Sequence, residues 1–452
     1  MAELVWNGKE ALRARSIAQR RAGGGALRTD ETHGGRDKDE WHGRLVLGDS
    51  VSVLSELLDE LRGRVALVYI DPPFDSGVVY DYCVPIAPAP GGDGEPSRLR
   101  VPAYRDAFGL DAWLDMFFET ATLIRELLRG GGSLYVHLDA HAVHYAKVLL
   151  DEVFGASAFQ RDIVWRIGWV SGFKARARNW IRNHDTILYY VKPGATPVFH
   201  KEYVPYPPGY ARRRGAPSPG PGYPIEDVWN ANRADRLDSI QIMSFSGEKV
   251  GYPTQKNESL VARIVRASSN PGDMVVDCFG GSGTAAVAAH RLGRRWAVCD
   301  SSPLAIHATR KRLLAEAPPP AFDVQRLGEA EHADTTARLA LRATIDRACD
   351  GYGRRGVEVA LESFDVADSD SVDGARAHVS HFSQWIDGWC IDWDYRGGPL
   401  RVGTSLWRTR AGSLALRTRH EYTEQGRVVA RVRVFDVFGG VTTRDVAIDI
   451  GG

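Results

Sequence analysis

Apolar and polar positions follow two different rhythms along this chain, and the change between them divides it. From residue 44 to 316, short unbroken apolar runs such as Val65-Ala66-Leu67-Val68-Tyr69-Ile70 stand between longer stretches with helical spacing. Unbroken runs of this length fit strands buried on both faces, and their alternation with helices is the signature of a parallel sheet covered on both sides. The expected elements are Leu45-Val46-Leu47, a helix around Val51 to Leu61, Val65 to Ile70, a helix from Asp111 to Leu128, and Ser133 to His137. Strands are also expected at Asp162 to Ile167, Thr186 to Val191, Met274 to Asp277 and Trp296 to Asp300. After Pro318-Pro319-Pro320 the period becomes two, as in Arg431-Val432-Arg433-Val434, with glycine pairs marking turns, so residues 321–452 read as a small β-rich domain. Its tryptophans Trp385, Trp389, Trp393 and Trp407 read as core filling rather than a binding face.

Two stretches keep neither rhythm. Residues 1–43 are polar, rich in glycine at Gly23-Gly24-Gly25 and charged from Arg28 to Glu40, and read as an arm carrying a short helix. Residues 192–250 are punctuated by Pro and Gly, and a loop this long inside a compact domain reads as an inserted functional module near the ligand face.

Composition narrows the classes. A chain of 452 residues with 44% hydrophobic content has room for two or three buried cores. Lys plus Arg equals Asp plus Glu at 57 each, so any nucleic-acid surface must come from local segregation of charge. Five scattered cysteines without a Cys-x-x-Cys pair argue against a disulfide framework or a zinc knuckle. No run reaches the ~18 apolar residues of a membrane span and no leader-like apolar region opens the chain, which gives the expectation of a cytoplasmic protein without membrane contact.

Candidate chemistry concentrates at two strand ends. The run Val65 to Ile70 stops at Asp71-Pro72-Pro73-Phe74, where two prolines lock φ and leave their carbonyls outside any ladder. A carboxylate beside fixed carbonyl acceptors suits a planar amino group, and the carboxyl ends of parallel strands are where open α/β sheets bind ligands. Alone, the tetrapeptide reads equally well as a stiff turn. The second strand end is Asp277-Cys278-Phe279-Gly280-Gly281-Ser282-Gly283-Thr284, whose glycines let a ligand approach the main chain. Asp300 closes the next strand 19 residues after Gly281, the spacing of a carboxylate that takes two ribose hydroxyls. Gly281-x-Gly283-x-x-Ala286 also fits the dinucleotide fingerprint, so the loop alone leaves a nicotinamide enzyme and an adenosyl-sulfonium enzyme both open.

Together, the Asp71-Pro72-Pro73-Phe74 segment and the Asp277–Thr284 loop resemble the amino-methyltransferases of DNA. With the Asp-Pro-Pro-Phe half first, the glycine loop late and an insertion between, the chain looks like the circularly permuted β-class of that family over residues 44–316. The resemblance implies a Rossmann-like domain with an inserted target-recognition region, S-adenosylmethionine as cofactor, and double-stranded DNA as substrate with the target base flipped out. It makes Asp71, Pro72, Pro73 and Phe74 catalytic. Asp277, Phe279, Gly281, Ser282, Gly283, Thr284 and Asp300 become cofactor-binding, joined by Asp49 and Ser50 near the cofactor adenine and by Tyr252, Thr254 and Lys256 over its methionine part. Cys278 stands where the family carries proline. Adenine N6 is the expected target, with cytosine N4 as the rival because the same acceptors serve either amine. A recognition or modification subunit of a restriction or defence complex, with a partner protein or a second copy, is the alternative of a different class.

For DNA contact, Lys174, Arg176, Arg178 and Arg182 form a run without an acid and with two aromatic rings, and Arg212, Arg213 and Arg214 add a second cluster. His137, His141 and His144 read as a strand end running into a helix rather than a metal site.

Overall fold

The computed structural model describes residues 3–15, 25–35, 41–86, 97–166, 178–206, 220–230, 248–328, 338–346, 354–366, 376–377, 379–409 and 412–451. The first half carries α1 (Lys9–Ala14), β1 (Leu27–His33), β2 (Gly43–Leu47), α2 (Ser50–Leu61), β3 (Val65–Ile70), β4 (Val78–Ile86), β5 (Ser97–Asp106) and α3 (Leu110–Leu127). Next come β6 (Leu128–Leu138), α4 (Val143–Phe154), β7 (Phe159–Arg166), β8 (His184–Val191), β9 (Tyr203–Pro205), β10 (Gly222–Pro224) and β11 (Val228–Trp229). The chain then enters α5 (Glu258–Ser268), β12 (Met274–Asp277), α6 (Thr284–Arg291), β13 (Arg295–Asp300), α7 (Pro303–Leu314) and β14 (Phe322–Leu327). It ends in β15 (Arg338–Ile345), β16 (Arg355–Asp365), β17 (Ile386–Asp392), β18 (Leu400–Arg401), β19 (Thr404–Trp407), β20 (Arg417–Tyr422), β21 (Gly426–Asp436) and β22 (Val441–Ile450).

Among the described residues, eleven strands form one sheet in the order β11-β7-β8-β6-β3-β12-β13-β2-β14-β1-β18. At its centre β6, β3, β12, β13 and β2 run parallel, and β3 is buried along its whole length, as its unbroken apolar sequence requires. Helices α2, α3 and α4 cover one face through Leu54, Phe117 and Leu149, while α5, α6 and α7 cover the other through Ile264, Ala286 and Leu313. Their starts follow local rules. Asp49 accepts from the Ser52 amide at 2.9 Å to cap α2, Asn257 accepts from the Ser259 amide at 2.8 Å to cap α5, and Pro303 opens α7. The adjacency of β3 and β12 brings the Asp71 and Asp277 strand ends side by side, about 200 residues apart in sequence.

The expected α/β domain with a β-rich C-terminal part is present, but its expected limits move. The described parts of residues 1–43 do not form an arm: β1 lies in the sheet, antiparallel to β14 and parallel to β18. Its polar side chains are partnered, with the Thr32 hydroxyl on Asp323 at 2.8 Å and buried Glu31 between Arg310 and Arg433 at 3.1 and 2.9 Å. Composition alone reads such residues as solvated. Before β1, the α1 segment docks through buried Lys9, which reaches Glu152 at 2.7 Å, and through the Trp6 indole on Asp115 at 2.6 Å. The sheet also continues past residue 316, because β14 pairs in parallel with β2.

The C-terminal strands make a three-stranded sheet, β15-β16-β20, and a four-stranded one, β19-β17-β21-β22. Trp385, Trp389 and Trp393 are buried in their core, and Trp407 stacks on Phe435 at 5.1 Å. That core continues into α7 and into a hairpin, β4–β5, which the sequence reading did not anticipate. Of residues 192–250, the described parts supply the small hairpin β9–β10 and the edge strand β11 beside β7.

Candidate active site

The ends of β3 and β12 open into a cavity of about 290 Å³, walled by the Asp-Pro-Pro-Phe turn, the glycine loop, residues 252–256 and the tyrosines of the β4–β5 hairpin. The turn is held rigidly. The Trp113 indole donates to the Pro73 carbonyl at 2.6 Å. Asp75, with φ of 56°, accepts from the amides of Phe108 and Gly109 at 2.7 and 3.0 Å, and buried Asp106 accepts from the Asp75 amide at 2.8 Å. Two reciprocal carboxylates therefore brace the turn against the end of β5 and the start of α3.

Asp71 lines the cavity, and one of its carboxylate oxygens is ion-paired with Lys256. Its other oxygen is buried and has no hydrogen-bond partner among the described residues. The Lys256 ammonium lies over the Phe74 ring, 5.6 Å from its centre, so cation, carboxylate and ring meet at one point.

The glycine loop is shaped by its neighbours. Gly281 has φ of 49° and Gly283 φ of 77°, and a side chain on Gly283 would start 2.5 Å from a Thr309 methyl. The Asp300 carboxylate accepts from the Gly281 and Ser302 amides, both at 2.8 Å, so it shapes this loop as well as bordering the cavity. Ser282 and Thr284 are buried and bonded to each other at 3.2 Å, and Thr284 also donates to the Lys256 carbonyl at 3.1 Å. Beneath them Arg312 donates to the Ser282 carbonyl at 3.2 Å and to Thr284 at 3.0 Å, while Glu258 pairs with the guanidinium. Arg312 carried no motif in the sequence.

The cavity is acidic. Asp49, Asp71, Asp106, Asp277 and Asp300 line it, and Lys256 is the single lysine, arginine or histidine among the described lining residues. Burial, with Asp71 and Asp300 nearby, pushes the Asp277 carboxyl up to about 8, even though it accepts from the Phe279 amide at 2.9 Å. Burial also raises Asp300. The Cys278 thiol, fully buried, is pushed well above its ordinary value and is unsuited to act as a nucleophile.

Residues 65–311, more than half of the chain, match the DNA methylase family. The chain belongs to that family. With membership come DNA as the substrate and S-adenosylmethionine as the methyl donor. The methylase is similar to the type II methyltransferase M.EcaI of Enterobacter cloacae, 27% identical over 59% of this chain and 68% of that protein. It is also similar to the DNA adenine methyltransferase YhdJ of Escherichia coli, 25% identical over 56% of this chain and 76% of that protein. Among solved structures, the M1.HpyAVI–SAM complex is 19% identical, with coverage of 60% of this chain and 98% of the other and a TM-score of 0.39.

The structure gathers every catalytic and cofactor position expected from the methylase's sequence except Gly283 into the cavity wall, and Gly283 lies within the loop behind it. It adds Tyr80 and Tyr104 of the hairpin, stacked at 5.0 Å, with the Tyr104 hydroxyl 3.1 Å from that of Thr254. Their signal was the spacing of Tyr80, Tyr82 and Tyr104 at alternate strand positions, masked by Pro85 and Pro102. Of the proposed DNA contacts, Lys174, Arg176, Arg212, Arg213 and Arg214 lie outside the described residues. Arg178 is exposed, whereas Arg182 is already engaged, ion-paired with Asp185 and, at 3.4 Å, with Asp139. Asp185 contacts buried His137 at 3.4 Å. Burial would push the Asp185 carboxyl up, but the His137 hydrogen bond and the Arg182 charge hold it at about 2. His137 also meets the Tyr69 hydroxyl at 3.2 Å. No group of three or more potential metal ligands occurs among the described residues, and no described helix is long and apolar enough to cross a membrane.

Proposed function

We propose that this methylase acts on the N6 amino group of adenine, flipped out of duplex DNA into the Asp71–Phe74 end of the cavity, and that it is of the circularly permuted β type. The observation that carries the reading is the buried, unpartnered oxygen of Asp71 beside the Phe74 ring and next to the glycine loop. An orphaned buried acceptor costs about 1–3 kcal/mol, and an N–H of the base would satisfy it.

An exocyclic amino nitrogen shares its lone pair with the ring and is a poor nucleophile until it becomes more pyramidal. Asp71, oriented by Lys256, accepts one N–H and the Pro72 carbonyl accepts the other, which favours that change. Phe74 stacks on the base and recovers part of the few kcal/mol that extrusion costs. S-Adenosylmethionine, when bound, supplies an electrophilic methyl group on a sulfonium. With it bound, the amino nitrogen would take the methyl group as the sulfur leaves as a neutral thioether, and the proton the amine sheds would pass to the Asp71 carboxylate that accepts its N–H and from there to solvent. Holding nitrogen and methyl carbon in line contributes at most roughly 7–11 kcal/mol.

The lining supports this cofactor over a nicotinamide dinucleotide. Asp49, Asp71 and Asp106 line the cavity against a single ammonium, a balance that favours a sulfonium cation even with Asp277 held neutral by its burial, and no described cation other than Lys256 lines the cavity to meet a pyrophosphate. Asp49, Asp277, Phe279, Gly281, Tyr252 and Thr254 border the space available to it, with Gly283 and Asp300 fixing the loop. Adenine is preferred over cytosine on the acidic Asp-Pro-Pro-Phe motif and on the similarity to an adenine methyltransferase.

The test is nucleoside analysis and single-molecule sequencing of DNA from cells expressing the chain. N6-methyladenine at one sequence motif is expected; N4-methylcytosine instead would overturn the assignment of the base. Asp71→Ala should abolish methyl transfer while S-adenosylmethionine binding persists in calorimetry, and near wild-type methylation by that variant would refute the mechanism.

A further inference from the structure

Trp180 is 96% exposed, the most exposed large apolar side chain among the described residues, and Ile181 beside it is 38% exposed. An indole and an isoleucine presented together to water indicate a contact surface rather than packing. Arg178 stands before them with only Asn179 between, so the apolar tip carries an exposed cation on one side, while on the other Arg182 is already paired with Asp139 and Asp185.

The position of the tip is set by the base side of the cavity. Arg182 is held by Asp139 and Asp185, Asp185 contacts His137, and the His137 ring lies 6.5 Å from that of Phe74. Trp180 is two residues before that anchored arginine and five before Asp185. Five residues reach at most about 17 Å, enough to span the ~8.5 Å depth of a major groove from a point beside the pocket.

We propose that Trp180 is a positioning residue that enters the base stack at the place vacated by the flipped nucleotide, with Arg178 against the phosphates alongside. The proposal rests on the methyl-transfer reading above, and its occupant is duplex DNA. Extruding a base leaves an unstacked step whose neighbours lose their partner faces. An indole inserted there restores stacking on two bases, and the exposed Arg178 matches the phosphate charge. The flipped state is then favoured without any contact between Trp180 and the reacting atoms.

The experiment compares the full-length protein with Trp180→Ala and Trp180→Phe on two duplexes carrying the motif found by sequencing. One is fully paired; the other has an abasic site opposite the target base, so that extrusion costs little. Trp180→Ala should lose roughly tenfold or more in kcat/KM on the paired duplex and return to within about threefold of wild type on the abasic one. Trp180→Phe should retain most activity on both. Because the side chain is exposed, the unfolding midpoint should be unchanged. Equal activity of Trp180→Ala and wild type on both duplexes, or an equal loss on both, would overturn the wedge while wild-type turnover leaves the methyl-transfer reading intact. Failure of the wild type to methylate either duplex would sink that reading, and the wedge with it.

Discussion

At the scale of single residues, the environment of Asp277 departs far from what its sequence position announces. It closes an apolar strand, is 3% exposed, and faces Asp71 and Asp300, so ionisation is unfavourable until about pH 8. A carboxyl raised in the folded state contributes stability below its unfolded value near 3.8, and that contribution is lost as pH rises toward 8. Asp277→Asn removes the titration and keeps an acceptor for the Phe279 amide. Thermal unfolding of the two proteins should therefore diverge between pH 4 and 8, the wild type losing up to about 1.4 kcal/mol per pH unit relative to the variant. Parallel curves across that window would contradict the burial argument. Asp71 itself was legible because an acid after an unbroken apolar run must sit at a strand end. Lys256 was named only through the family resemblance, as a cofactor residue, and its pairing with Asp71, 185 residues away, was not foreseen, since nothing local couples the two.

At the scale of elements, the glycine loop shows how much of a site is backbone. Gly283 combines φ of 77° with a neighbour, Thr309, that leaves no room for a Cβ. Gly283→Ala should cost on the order of 1–3 kcal/mol from the backbone conformation alone. Because the displaced loop borders the cavity, it should also weaken S-adenosylmethionine binding, which calorimetry measures. Gly293→Ala is the control, since its φ is also positive but nothing lies within 4 Å of the added carbon, so it should lose stability and retain cofactor affinity. The β4–β5 hairpin was the element missed. Its prolines interrupt the alternation, and its apolar side chains pack on α7 and on C-terminal strands that the local pattern cannot foresee.

At the scale of the whole molecule, buried Glu31 ties β1 to α7 and β21. Burial alone would raise its carboxyl, but Arg310 and Arg433 hold it far below the usual range, so it stays charged. Glu31→Ala leaves two buried guanidinium groups without their shared partner and should cost about 3–5 kcal/mol, read as a fall in the unfolding midpoint. A change within 0.5 kcal/mol would mean that water or other acids compensate those cations. The same cluster explains why β1 escaped recognition as part of the sheet: a polar strand is stable inside a fold only when its partners arrive from hundreds of residues away.

The sequence by itself determined the parallel sheet and the two strand-end motifs, because continuous apolar runs and proline or glycine geometry act over a few residues; the expectation of amino-group methylation came from the resemblance of those motifs to the DNA amino-methyltransferases. Tertiary structure decided the rest: the pairing of Lys256 with Asp71, the tyrosine wall, the support of the glycine loop by Arg312, and the strands that join the sheet from residues 27 and 322. Those features depend on burial and charge pairing between distant segments, and such energies exist only once the chain has closed on itself.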